Sequence, residues 1–192
     1  MNPAPVLVAI VLAAGAGKRF GGGKLSAQFN GEPLVHHAIR AARAAPVERV
    51  IVIAAPGLDT GTWDVPGPAV EVHRIETTAL SDSLKAGISV AGYAGGAFIF
   101  LGDMPLISPG VADELAKTLD ASFAAMPCFQ GQPGHPVLLS RTAFAELADL
   151  QGDEGAGKLL RSRKDVAFLD WPDNTVLLDV DRVEDIKRLE GL

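Results

Sequence analysis

Apolar positions along the chain switch between two periods. Val6–Leu12 and Ala97–Leu101 are unbroken apolar runs, as strands covered on both faces require. Leu34, Val35, Ala38, Ile39 and Ala42 recur at helical spacing, with His36, His37, Arg40 and Arg43 on the opposite, exposed face. The pattern predicts a strand over Val6–Leu12, a Gly-rich loop from Ala13 to about Leu25, and a helix from about Pro33. Strands follow over Val50–Ala54 and about Val70–Ile75, separated by a Pro- and Gly-rich loop from Pro56 to Pro68. A second helix carries Leu80, Leu84, Ile88 and Ala91 inward, with Ser81 as its N-cap. After the strand Ala97–Leu101, Ser108-Pro109 opens a third helix: a capping residue, then Pro at the first helical position. Two short β segments, near Phe123–Met126 and Pro136–Leu139, flank the Gly- and Pro-containing stretch 130–134. A short helix over about Thr142–Ala148 comes next, then strands near Val166–Leu169 and Val176–Leu178. A last helix turns Val183, Ile186 and Leu189 inward. Strands alternating with helices predict an α/β fold with a mostly parallel sheet, helices on both faces and a small β excursion in the second half. The 192 residues suit a single domain over 1–192. In such sheets ligands bind beyond the carboxyl ends of the strands, so the loops after the first and fourth strands matter most.

Hydrophobic residues make up 48% of the chain, which excludes a disordered polymer. Lys and Arg total 17 against 23 Asp and Glu, a net charge of −6, so no nucleic-acid partner is expected. Cys128 is the only cysteine; it has no internal disulfide partner, and a cytoplasmic location is expected. The apolar run Val6–Ala14 is too short to cross a bilayer and no Lys or Arg precedes it, so it reads as a strand and no membrane partner is expected.

The loop after the first strand gathers Gly15, Gly17, Gly21, Gly22 and Gly23 with Lys18, Arg19 and Lys24. Glycines let backbone approach a ligand and expose N–H groups, while Arg and Lys meet phosphate oxygens. A polyphosphate site fits this composition; a solvated basic loop is the alternative. It is not a P-loop, because Lys18 stands where the first Gly is required and Leu25 follows Lys24. Nor is it a dinucleotide fingerprint. Phe20 stands at the third Gly, and the second strand ends in Ala54-Ala55 with no acid for a ribose. The loop after the fourth strand, Gly102-Asp103-Met104-Pro105, puts a carboxylate at a strand end. Mg²⁺ bound to substrate phosphates takes one or two carboxylates from the protein. The bland alternative is a plain Gly-Asp turn. No zinc-ligand spacing or Gly-x-Ser-x-Gly elbow occurs.

These segments resemble the MobA-like nucleotidyltransferases that attach a nucleotide to the molybdenum cofactor. The matching residues are Leu12-Ala13-Ala14-Gly15, Arg19-Phe20-Gly21, Lys24, Ser83-Leu84-Lys85-Ala86-Gly87 and Gly102-Asp103-Met104-Pro105. In the second half they are Gly134-His135-Pro136-Val137, Gly152-Asp153-Glu154-Gly155-Ala156 and Asp179-Val180-Asp181-Arg182-Val183-Glu184-Asp185. Phe20 replaces the usual Met, Ala79 a frequent Gly, and Arg182-Val183 a Thr-Pro. The resemblance implies a Rossmann-like nucleotidyltransferase fold. Leu12, Ala13, Ala14, Gly15 and Gly17 would contact the nucleotide, Arg19 and Lys24 the triphosphate, and Ser83 the nucleotide from the second helix. Asp103 would hold Mg²⁺ with Asp181 as second ligand, and Pro105 and His135 would line the acceptor pocket. Asp181 equally fits an N-cap of the last helix through Asp181-x-x-Glu184, Ser83 the first turn of its helix, and Asp153 an N-cap. Ala14, where the guanylyl branch has Gly, together with Gly134-His135-Pro136-Val137, implies CTP in preference to GTP. A molybdopterin-type acceptor is implied, with a molybdoenzyme or its chaperone as a further partner. The competing readings are a guanylyltransferase or other NTP transferase, a non-catalytic nucleotide- or cofactor-binding protein, and a NAD-dependent oxidoreductase.

Overall fold

A computed structural model describes residues 5–15, 17, 20–77, 79–148 and 156–191. Arg19 and Asp153 lie outside the described residues.

At the centre runs β1 (Leu7–Ala13), flanked in parallel by β4 (Arg49–Ala54) and β6 (Gly96–Leu101), with Ile10 level with both Ile51 and Ile99. Both neighbours and both faces are covered, so Ala9, Ile10 and Val11 are fully buried and every position along the run is apolar. β5 (Ala69–Arg74) extends the sheet beyond β4. On the other side the order continues as β9 (Val137–Ser140), β7 (Ala124–Phe129) and β10 (Val166–Asp170), giving β10-β7-β9-β6-β1-β4-β5. β9 is antiparallel to both neighbours, and a two-residue β8 (Gln132–Pro133) folds back on β7. The expected β excursion is thus inserted in the main sheet. Its strand β7 is longer than the sequence pattern suggests, because Cys128 and Phe129 find partners in β8.

Alternation along the strands separates two cores. Val11, Val52 and Phe98 face α1 (Leu34–Ala44), α3 (Pro109–Thr118) and α6 (Val183–Glu190). Ile10, Ile53 and Ile99 face α2 (Leu80–Ala91), α4 (Ala143–Ala148) and α5 (Ala156–Ser162). α2 lies close on the sheet, since a Cβ at Gly87 would stand 2.5 Å from Ile10 Cγ2. The chain winds outward from β1 through β4 and β5, then crosses by α2 to β6 on the other side. The loops after β1 and β6 therefore diverge from one switch point. No helix among the described residues is long and apolar enough to cross a membrane.

Several local expectations are corrected. Ser81 is not an N-cap: α2 begins at Leu80 behind Ala79, and Ser81 is buried within its first turn. Val176–Leu178 is not a strand. Asp173 accepts the Thr175 N–H (3.0 Å) and starts a 3-10 turn, Asn174–Leu177, that buries Val176. Val183 is 54% exposed, because α6 packs through its later turns, where Leu189 is buried. That helix is capped by Asp185, not by Asp181 with Glu184. Asp185 Oδ2 accepts the Arg182 and Asp181 N–H groups at 2.8 and 3.0 Å. His36 and His37 are not freely exposed. Gly61 and Trp63, from the loop after β4, cover the His36 ring, and His37 Nε2 donates to the Phe29 carbonyl at 2.9 Å. A hairpin of β2 (Gln28–Phe29) and β3 (Glu32–Pro33), absent from the sequence reading, leads into α1. It turns at Asn30 and Gly31, both with positive φ.

Candidate active site

Two loops meet at the carboxyl ends of β1 and β6 because a glycine lets them. Gly102 N–H donates to the Leu12 carbonyl (3.0 Å), and a Cβ on Gly102 would stand 3.1 Å from that same oxygen. The chain after β1 then curls so that Gly17, at φ 55°, lies against the Lys24 side chain, where its own Cβ would come within 3.0 Å. Gly23 (φ 64°) opens a single 3-10 turn, Lys24–Ser26, anchored by the buried Leu25. This turn fixes the direction in which Lys24 leaves the backbone.

Lys24 Nζ donates to Asp103 Oδ2 at 2.6 Å and stands 3.6 Å from Asp181 Oδ1. Residues 79 apart in sequence are thus paired, with only 13% and 21% of their side chains exposed. Asp181 arrives by backbone tethering: Val180 N–H donates to the Asp103 carbonyl (3.0 Å), and buried Val180 leaves Asp179 and Asp181 on the site side. Asp185, by taking the Asp181 N–H, holds that segment from behind. Burial, together with the Asp181 and Asp103 carboxylates beside it, holds the Asp179 carboxyl above the usual range. Neither Asp179 nor Asp185 was singled out as a site residue in the sequence; the alternation Asp-Val-Asp was the available signal.

The donor set suits a hard divalent cation: two carboxylates converge on one positive charge beside a cavity open to phosphates. Among the described residues no group of three or more His, Cys, Asp or Glu is arranged to hold a metal. A cation here would complete its shell with water or with substrate oxygens.

A cavity of about 170 Å³ adjoins Lys24 and Asp103 and is walled by Ala14, Gly15, Gly17 and Ser83. Leu12, Leu80 and Leu101 separate it from a second cavity of about 320 Å³, largely apolar, that reaches Ser81, His135 and Arg161. The structure thus brings Leu12, Ala14, Gly15, Gly17, Lys24, Ser83 and Asp103 around one space, with Asp181 3.6 Å from Lys24 Nζ. It does not bring Ala13 or Pro105 there as side chains. Ala13 packs in the core facing α1, and Pro105 is buried in the turn after β6.

His135 is positioned by its N–H, which donates to the Val176 carbonyl at 2.8 Å. Burial pushes its imidazole down to about 4, against the opposing pull of the Asp103 carboxylate. The ring is therefore neutral at pH 7. Between about 4 and 6.5 the unfolded chain binds a proton that the folded chain refuses, so this group's contribution to stability falls as pH drops through that window. Wild type is expected to lose about 2 kcal/mol more than His135→Asn between pH 7 and pH 5 in denaturant melts. Equal losses in the two proteins would contradict a neutral buried ring.

The model of the MobA-like NTP transferase domain matches residues 9–166. The purine catabolism protein PucB of Bacillus subtilis is 28% identical over 94% of this chain and 94% of its own. A probable molybdenum cofactor guanylyltransferase of Thermococcus sibiricus is 25% identical over 96% and 98%. Among solved structures, Rv0371c from Mycobacterium tuberculosis superposes with a TM-score of 0.84 at 28% identity, covering 99% of this chain and 100% of that one; it has also been solved in complex with manganese.

Proposed function

The chain belongs to the MobA-like NTP transferase domain family, and from that premise we propose that it transfers CMP from CTP to the phosphate of a molybdopterin-type acceptor, releasing pyrophosphate in a magnesium-dependent reaction. The observation that carries this reading is the pairing of Lys24 and Asp103 on the cavity bounded by Ala14, Gly15 and Gly17, with Asp181 3.6 Å from the lysine ammonium.

The chemistry follows from charge. An acceptor phosphate oxygen attacks the α-phosphorus, and the bond from that phosphorus to the bridging oxygen breaks as pyrophosphate leaves. Two anions must meet, so the protein's part is positioning and neutralisation, with no nucleophile needed from the chain. Lys24, released from Asp103, donates to the triphosphate oxygens where charge accumulates on the leaving group. Arg19 adds a second cation from the same loop. Asp103 and Asp181 would hold the divalent ion, which when bound neutralises α-phosphate oxygens as a Lewis acid. Ser83, in the first turn of α2, offers its hydroxyl to the nucleotide. The apolar cavity with neutral His135 suits the flat heterocycle of a pterin, and Arg161 at its lining suits an acceptor phosphate.

Ala14 supports CTP, since its methyl narrows a wall of the nucleotide cavity and a smaller base needs less room. The guanylyltransferase relative from Thermococcus sibiricus favours GTP as the second reading. A panel of the common triphosphates with Mg²⁺ and molybdopterin, read by pyrophosphate release, separates them. CTP is expected to support at least ~10-fold faster release than GTP, the scale of one to two well-placed methyl contacts in a pocket. Faster release with GTP replaces the first reading by the second, and no release with any triphosphate overturns both.

A further inference from the structure

The cation seat at the rim is taken by the protein's own ammonium group. Lys24 Nζ lies 2.6 Å from Asp103 and 3.6 Å from Asp181, between the two carboxylates a divalent ion would use. The lysine is not loosely placed. Its stem rests on Gly17 and its turn is anchored by Leu25, leaving the side chain 13% exposed. A free divalent ion entering here has to displace a like charge from both carboxylates.

A metal already chelated by a triphosphate brings compensation with it, because its phosphate oxygens offer the ammonium a new anionic partner and the exchange of charge is balanced. We propose that Lys24 acts as a built-in competitor for the cation seat, excluding free divalent ions and making the site selective for the preformed metal–triphosphate chelate. The inference rests on the metal-binding reading of Asp103 and Asp181 given above.

The test needs no acceptor and no turnover. Mn²⁺ alone is titrated into wild type, Lys24→Met and Lys24→Arg, and bound ion is read by electron paramagnetic resonance, with melting curves to verify folding. Lys24→Met is expected to bind Mn²⁺ at least ~10-fold more tightly than wild type, because a cation at contact distance is gone. Lys24→Arg keeps the charge and is expected to bind as weakly as wild type. Adding CTP is expected to increase Mn²⁺ retention by wild type more than by Lys24→Met. The proposal is overturned if Lys24→Met binds Mn²⁺ no more tightly than wild type. It is equally overturned if the gain survives in the double variant Lys24→Met/Asp103→Asn, since the ion then sits elsewhere. Failure of the triphosphate panel leaves these outcomes readable, because Mn²⁺ binding is measured without a reaction.

Discussion

Asp103→Asn is expected to lower pyrophosphate release by roughly 10²–10³-fold, the scale seen when one electrostatic contact to a reacting centre is removed. The substitution keeps the shape of the side chain and removes its charge. Its backbone role survives, because the Val180 N–H bonds to the Asp103 carbonyl and not to the carboxylate. Lys24 retains Asp181 as a partner, so the stability cost is modest, about 1 kcal/mol. The result should therefore be a folded protein with a nearly unchanged Tm and little activity. Steady-state pyrophosphate assays beside thermal melts check both halves. Full turnover in the variant removes the basis for giving this carboxylate a part in the chemistry.

Gly134→Ala is expected to have the largest effect on stability. A Cβ at this position would stand 2.3 Å from the Val176 carbonyl oxygen and 2.9 Å from its carbon. Neither side yields easily. Gly134 N–H is bonded to the Pro127 carbonyl (2.8 Å), and Val176 is fully buried, with its carbonyl holding the His135 N–H. Forcing the two backbones apart costs about 2–3 kcal/mol, at the upper end for an overpacked site. For a chain of this length that lowers Tm by roughly 5–10 °C. His135 moves with its neighbour, so the acceptor KM is expected to rise while the CTP KM changes little. An unchanged Tm would show that the contact is not rigid, and equal changes in both KM values would detach His135 from the acceptor cavity.

The first half of the fold is legible because each element obeys one rule over its whole length. β1, β6 and, after Arg49, β4 are apolar runs, and α1 and α2 keep a clear helical period. Reading fails where two rules compete over a few residues. Val176 to Leu178 looks like a strand by apolarity, but the Asp173 cap decides for a turn. Val183 continues a helical stripe beyond the point where the body of the protein can cover it. The β2–β3 hairpin was written in Asn30-Gly31 and is easily passed over because its strands are two residues each. At the site, Lys24 and Asp103 are each visible as residues in strand-end loops. Their contact is not visible, because it depends on β6 lying next to β1 and on Gly102 permitting close approach. Asp185 escapes for the same reason: its carboxylate works through backbone amides that only the folded chain brings near.

The reversed direction of β9 has an evolutionary consequence. Because that strand runs against β6, its beginning, and not its end, reaches the working edge of the sheet, bringing His135 with it. Part of the wall of the larger cavity thus comes from a short hairpin far along the polypeptide, separate from the glycine coil beside Lys24. Under the proposed function, edits to the 130–136 hairpin would change what receives the nucleotide while leaving that coil intact, so relatives could diversify their acceptors without rebuilding the core around β1.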